Sequence, residues 1–184
     1  VAALAFGTVG PKCDVVVGPG NRWVTAAKRY LYGEIGIDGL AGPSEILVIA
    51  DGNANPDLVA ADLIAQADHR ADVALRVARE LRDAVIVSIK VHLADLPTAP
   101  IARSALDGGF SLIVDSIDEA VGISNEIAPE HLALHVDDAD RIIPDLTSYG
   151  SAFVGDSSAE AFADYGAGPN HVLPTAGGAR YQSG

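Results

Sequence analysis

Three short stretches carry side chains that could do chemistry together. Ala128-Pro129-Glu130-His131 sets a carboxylate beside an imidazole just ahead of an apolar run. The pairing suits general acid–base work, because burial can tune a carboxyl group and an imidazole titrates near neutrality. Neighbouring side chains within one strand point to opposite faces, so cooperation predicts that both residues sit on the loop, where Pro129 keeps Ala128 out of helix. Gln66 and His69 are three apart near the end of a predicted helix and project to the same side. They could share a ligand, although a carboxamide is an uncommon zinc donor and a plain surface pair shows the same pattern. Asp164-Tyr-Gly-Ala-Gly-Pro-Asn-His171 flanks with an acid and an imidazole a run of glycines that lets backbone approach a ligand. Its expected place is the carboxyl side of the strands, where α/β sheets bind ligands, but Asp164 could equally be a local turn acceptor. His135 and His92 have no such neighbours and read as structural positions.

A fourth stretch, Gly18-Pro-Gly20, lies between a predicted strand and helix. It matches the opening of a dinucleotide-binding turn, in which backbone N–H groups meet phosphate. The third glycine is missing, with Trp23 and Val24 in its region, so a tight turn that needs positive φ explains the stretch as well.

The elements that must position these groups alternate along the chain. Strands are expected over 14–17, 45–50, 74–77, 111–115, 132–136 and 152–154. Helices are expected over 22–32, 56–68, 80–93, 117–127 and 138–148. The run Glu45-Ile-Leu-Val-Ile-Ala50 is almost wholly apolar, as a central strand covered on both faces should be. Val85-Ile-Val87 could be strand, but the spacing of Leu81, Val85, Ile89 and Leu93 favours helix. Residues 166–184 read as a glycine-rich loop. The pattern is α/β, with Rossmann-like parallel sheets flanked by helices. Asp38-Gly-Leu-Ala-Gly-Pro-Ser44 breaks it ahead of the central strand, which places a domain boundary near residue 43.

Composition narrows the partners. The 184 residues include 12 basic and 25 acidic side chains, a net charge of −13, with 49% hydrophobic and 20% charged residues. This is a globular composition, and the charge disfavours nucleic acid and anionic membrane surfaces. No stretch reaches the roughly 18 apolar residues of a membrane span. Cys13 stands alone, so no internal disulfide can form, which fits a reducing cytoplasm. Methionine is absent, which leads us to expect an internal piece of a longer protein.

Taken in order, Phe6-Gly-Thr8, Pro11-Lys12, Gly18-Pro-Gly-Asn21, Ala41-Gly-Pro-Ser-Glu45, Gln66-Ala-Asp-His69, Pro129-Glu-His-Leu132, Gly150-Ser151 and Gly168-Pro-Asn-His-Val-Leu-Pro-Thr175 resemble the motifs of histidinol dehydrogenases over essentially the whole chain. The resemblance implies oxidation of L-histidinol to L-histidine with two NAD at a zinc site. It implies Gln66, His69 and Asp164 as zinc and substrate ligands, and Glu130 and His131 as the catalytic pair that also contacts substrate. Ser44 and His171 are implied as further substrate contacts, and Asn21 as a contact to NAD. In that family a further zinc ligand and a substrate-binding Glu come from the partner subunit's C-terminal region in a homodimer, beyond the point corresponding to Gly184. Residues 1–43 are then expected to be the tail of the NAD-side domain, and 44–184 much of the zinc- and substrate-binding domain. The alternatives are a related dehydrogenase acting on another small alcohol, such as a sulfonated diol, and an inactive truncated domain. A sulfonate needs basic partners, and only Arg70 and Arg180 lie near the candidate stretches in sequence, which favours the cationic substrate.

Overall fold

The computed structural model describes residues 1–67, 72–76, 79–165 and 172–182, and of 72–76, 79, 164 and 165 the backbone only. Two small elements, α1 (Ala2–Phe6) and β1 (Val15–Val16), lead into α2 (Arg22–Leu31) and β2 (Gly36–Ile37). Then follow β3 (Glu45–Ala50), α3 (Pro56–Ala67), β4 (Asp72–Arg76), α4 (Arg79–Asp95), α5 (Ala99–Gly108) and β5 (Phe110–Leu112). The chain continues through α6 (Ile117–Ile127), β6 (His131–His135), α7 (Ala139–Ile142) and β7 (Ser151–Val154) to a 3-10 turn at Glu160–Tyr165.

The α/β expectation holds. Strands β3 to β7 form one parallel sheet in the order β5-β4-β3-β6-β7, and β1 pairs in parallel with β2 in a second, two-stranded sheet. Central β3 alternates its side chains between two cores. Ile46, Val48 and Ala50 pack with α3, α4 and α5, whereas Leu47 and Ile49 join Leu132 and Leu134 against α6 and α7. All five are buried, which explains why this strand lacks the polar alternation of a one-sided sheet. Each of the four Ile, Leu and Val side chains contributes on the order of 1.5–3 kcal/mol by leaving water.

Several expected boundaries shift. The 14–17 strand shrinks to Val15–Val16 and pairs with Gly36–Ile37, a stretch expected only to end a helix. The ambiguous Val85–Val87 lies in a helix, and the 74–77 strand falls at Asp72–Arg76. Helix α5 was not foreseen; Thr98 and Pro100 at its start are the available signal. The 138–148 helix stops at Ile142 and tightens into a 3-10 turn, where Pro144 cannot continue an α-helical ladder.

The strand order reverses between β3 and β6, the point whose carboxyl-end crevice normally receives ligands in open α/β sheets. At that end the chain's own polar groups bond to one another. Asp51 donates its amide to the His135 carbonyl (3.0 Å), and its carboxylate accepts from the Asp137 amide (2.7 Å). His135 is itself buried, with Nε2 2.8 Å from Asp62 Oδ2 and Nδ1 3.2 Å from Asp156 Oδ1. Isolated in sequence, it is closely partnered in space. Burial works against charging the ring, but the two carboxylates outweigh it and hold the His135 pKa above the ordinary 6.5.

The folded state therefore keeps this proton to higher pH than the unfolded chain does. The resulting stability is fully present below the unfolded pKa of about 6.5 and is lost as pH rises through the folded value. Urea unfolding across this range should show wild-type stability declining with pH more steeply than that of His135→Gln. Parallel profiles for the two proteins would contradict the assignment.

Candidate functional site

The candidate pair is built by the turn that ends α6. Ala128 caps that helix in the left-handed region (φ 53°, ψ 63°), unusual for a residue with a Cβ, and Pro129 follows at once. The chain thus leaves the helix at Ala128, as expected. Glu130 falls on the turn, but His131 is the first residue of β6, which corrects the expectation that both sit on the loop. Cooperation survives because Glu130 precedes the pleat: its Oε2 lies 3.9 Å from His131 Nδ1.

Parallel register supplies the next contact. Ile46 on β3 is opposite His131 on β6, so the residues just before them are also side by side. The Glu45 amide donates to Glu130 Oε2 at 3.0 Å, and the Glu45 carboxylate in turn accepts from the Ala176 amide at 2.9 Å. On the other flank, the Gly150 amide donates to the Pro129 carbonyl and the Ser151 amide to the Glu130 carbonyl, both at 2.9 Å. Phe153 on β7 sits with its ring centroid 5.7 Å from that of His131. Glu130 is only 5% exposed, and the neighbours around it fix its direction. Half-buried Ser44 immediately precedes β3, so Ser44, Glu130 and His131 share the amino edge of the sheet.

Gln66 lies buried in the last turn of α3, the end of that helix which returns toward the amino edge before β4. Its side chain is hydrogen-bonded to Glu160, the first residue of the 3-10 turn that also contains Asp164. Burial, opposed by the Gln66 hydrogen bond and aided by nearby Asp62, raises the Glu160 pKa above its ordinary value. Glu160 was missed in the sequence; its signal is a place four residues before Asp164 on one short element. The structure thus brings Gln66 to the backbone turn that carries Asp164. His69 and His171 lie outside the described residues.

Asn21 stands apart at the start of α2, where its side chain accepts from the Trp23 and Val24 amides at 3.0 and 3.2 Å. An open groove of about 690 Å³ runs from Asn21, Trp23 and Arg29 to Gly42 and Pro43, one residue short of Ser44. That volume is in the range of ligand clefts. Thr175, also missed, ties the linker down from the C-terminal side: its Oγ1 accepts from the Gly42 amide at 2.6 Å.

An all-parallel sheet with this reversal of strand order, and with its polar cluster at one edge, defines a Rossmann-like α/β chain. The histidinol dehydrogenase family model matches residues 1–184, and the chain belongs to that family. It is 48% identical to the histidinol dehydrogenase of Thermus thermophilus over 188 aligned positions, covering 100% of this chain and 46% of that protein. The crystal structure of histidinol dehydrogenase from Elizabethkingia anophelis superposes with a TM-score of 0.94 at 42% identity, over 99% of this chain and 43% of that one. An acetylating aldehyde dehydrogenase from Geobacillus thermoglucosidasius shares the fold alone, at a TM-score of 0.57 and 16% identity over 92% of this chain and 52% of that one. The chain therefore spans a little under half the length of the curated relatives it matches. Among the described residues no helix is long and apolar enough to cross a membrane.

A Cβ added at Gly150 would lie 2.6 Å from the Glu130 carbonyl oxygen, so any side chain there must push the Pro129–Glu130 turn away. Gly150→Ala should cost about 1–3 kcal/mol in urea unfolding, the usual penalty of overpacking. An unchanged midpoint would show that the turn is less tightly clamped than the geometry indicates.

Proposed function

We propose that this chain supplies most of a site that oxidises L-histidinol to L-histidine with two NAD, by way of histidinaldehyde. Residues 1–43 would belong to the NAD-side domain and 44–184 to the zinc- and substrate-binding domain, in a homodimer whose partner completes the site. The observation that carries this reading is the Glu130–His131 pair, held 3.9 Å apart at the amino edge beside Ser44 in a chain of this family.

The donor types are consistent with zinc. His69 and Asp164 offer its common ligands and Gln66 a rarer amide oxygen. A carboxylate only accepts, so the hydrogen bond to Glu160 engages the Gln66 amide nitrogen, and a cation would bind through the amide oxygen. Among the described residues there is no group of three or more His, Cys, Asp and Glu that could hold a metal, and His69 and His171 lie outside them. When bound, zinc would hold the amine and imidazole of the substrate in place, and NAD would take up the hydride.

The chain's own residues then move protons. His131 takes the hydroxyl proton as the alcohol carbon loses hydride, which yields the aldehyde. Glu130, aimed by the Glu45 amide, activates a water molecule to hydrate that aldehyde, and the hydrate is the substrate of the second oxidation. Ser44 and His171 orient the substrate, and Asn21 contacts the dinucleotide.

The test uses the chain extended at both ends to the span of its relatives. NADH production is expected with histidinol; activity with a sulfonated diol and none with histidinol would overturn the proposal. His131→Asn should depress the first oxidation and Glu130→Gln mainly the hydration-dependent second, each by about 10²–10⁴-fold. Equal loss of both steps in the two variants would contradict the division of roles. Gln66→Ala and Asp164→Ala should lower zinc content, and unchanged stoichiometry would remove those residues from the ligand set.

A further inference from the structure

Lys28 is 4% exposed, a burial that a lysine tolerates only when its ammonium is paired and bonded. Its Nζ lies 2.6 Å from Asp38 Oδ1 and donates to the Gly18 carbonyl, also at 2.6 Å. Asp38 Oδ2 accepts from the Gly18 amide at 2.7 Å, and Oδ1 from the Gly39 amide at 2.8 Å. Both polar groups of the Gly18 backbone are therefore held, one by each member of the ion pair. Gly18 has φ +111°, a conformation that favours glycine, and it opens the Gly18-Pro-Gly-Asn21 turn.

The pair does more than anchor a turn. Asn21, Thr25 and Lys28 recur at helical spacing along one stripe of α2. Thr25 Oγ1 donates to the Ala41 carbonyl at 2.8 Å, so Thr25 and Lys28 both bind that stripe to the linker 38–41. The linker runs on through Gly42 and Pro43, which line the groove with Asn21, and reaches Ser44. One ion pair, with its lysine buried and its aspartate at the surface, thus fixes the relative placement of the turn carrying Asn21 and the segment leading to Ser44.

We propose that Lys28 and Asp38 are positioning residues that set the affinity and orientation of a dinucleotide in this groove, by holding the Asn21 turn in place against the linker to Ser44. The proposal rests on the function inferred above, and its test separates the two.

A merely structural ion pair can be replaced by apolar side chains with little loss of stability, whereas removing one partner strands a buried charge. The informative protein is therefore Lys28→Met combined with Asp38→Leu, made in the extended, zinc-loaded chain. Because the Gly18 and Gly39 backbone groups lose these partners, its urea midpoint should fall; under conditions where it stays folded its zinc content should remain within about twofold of wild type, while the Kd and KM for NAD rise about tenfold or more. Asp38→Asn keeps an acceptor for Lys28 but loses one of the two carboxylate oxygens. It should weaken NAD binding several-fold, and it serves as the reading if the double variant does not fold. Wild-type NAD affinity in either folded variant would overturn this inference alone. Failure of the unmutated extended protein to bind NAD would instead overturn the function on which it rests.

Discussion

The hydrogen bond from the Glu45 amide to the Glu130 carboxylate is the contact on which the site's geometry depends. It exists because β3 and β6 are parallel neighbours with Ile46 opposite His131, so the residues entering the two strands meet at the same edge. A slip of one residue in that register would turn the inward side chains of both strands over and leave the Glu130 carboxylate without this donor. The apolar packing of Leu47, Ile49, Leu132 and Leu134 against α6 and α7 is thus also what holds the acid in place. Stability and the placement of Glu130 share one register.

A site at this edge would run against the usual economy of open α/β sheets, in which ligands sit at the carboxyl ends of the strands where the order reverses. In this chain Asp51, Asp137 and the Asp62–His135–Asp156 cluster bond to other groups of the protein at that end of the sheet. The opposite edge has backbone that leaves α6 through a strained Ala128, a buried carboxylate and a linker clamped from two sides. Strain and buried polar groups held by neighbours are the features expected where structure is spent on function rather than on packing.

Much of the fold was legible in the sequence because it depends on local signals. The apolar run Glu45–Ala50, the Ser116-capped helix from Ile117 to Ile127 and the Asn21 cap all follow from periodicity and capping chemistry, and all three lie where expected. The two-residue pairing of Val15–Val16 with Gly36–Ile37 was not legible, because so short a strand is defined by its partner and not by its own pattern. The site was legible in its residue types but not in its supports. Glu130 and His131 announce themselves as neighbours, whereas the contacts of Glu45, Thr175, Glu160 and the Lys28–Asp38 pair span 10 to 133 positions of sequence, which local pattern does not connect. The expectation that the Asp164–His171 stretch sits at the carboxyl side of the strands falls on residues 166–171, which lie outside the described residues, and on Asp164, of which the backbone alone is described.

In the proposed site Gln66, His69 and Asp164 would meet one divalent ion at the amino edge, beside Glu130 and His131. Anomalous diffraction at the zinc edge, from crystals of the extended protein with histidinol bound, tests it most directly. The account predicts a single peak about 2.0–2.2 Å from donor atoms of those three residues, with the substrate alcohol facing the His131 ring. A peak at the opposite edge among Asp51, His135 and Asp137, or one that none of the three residues touches, would contradict it.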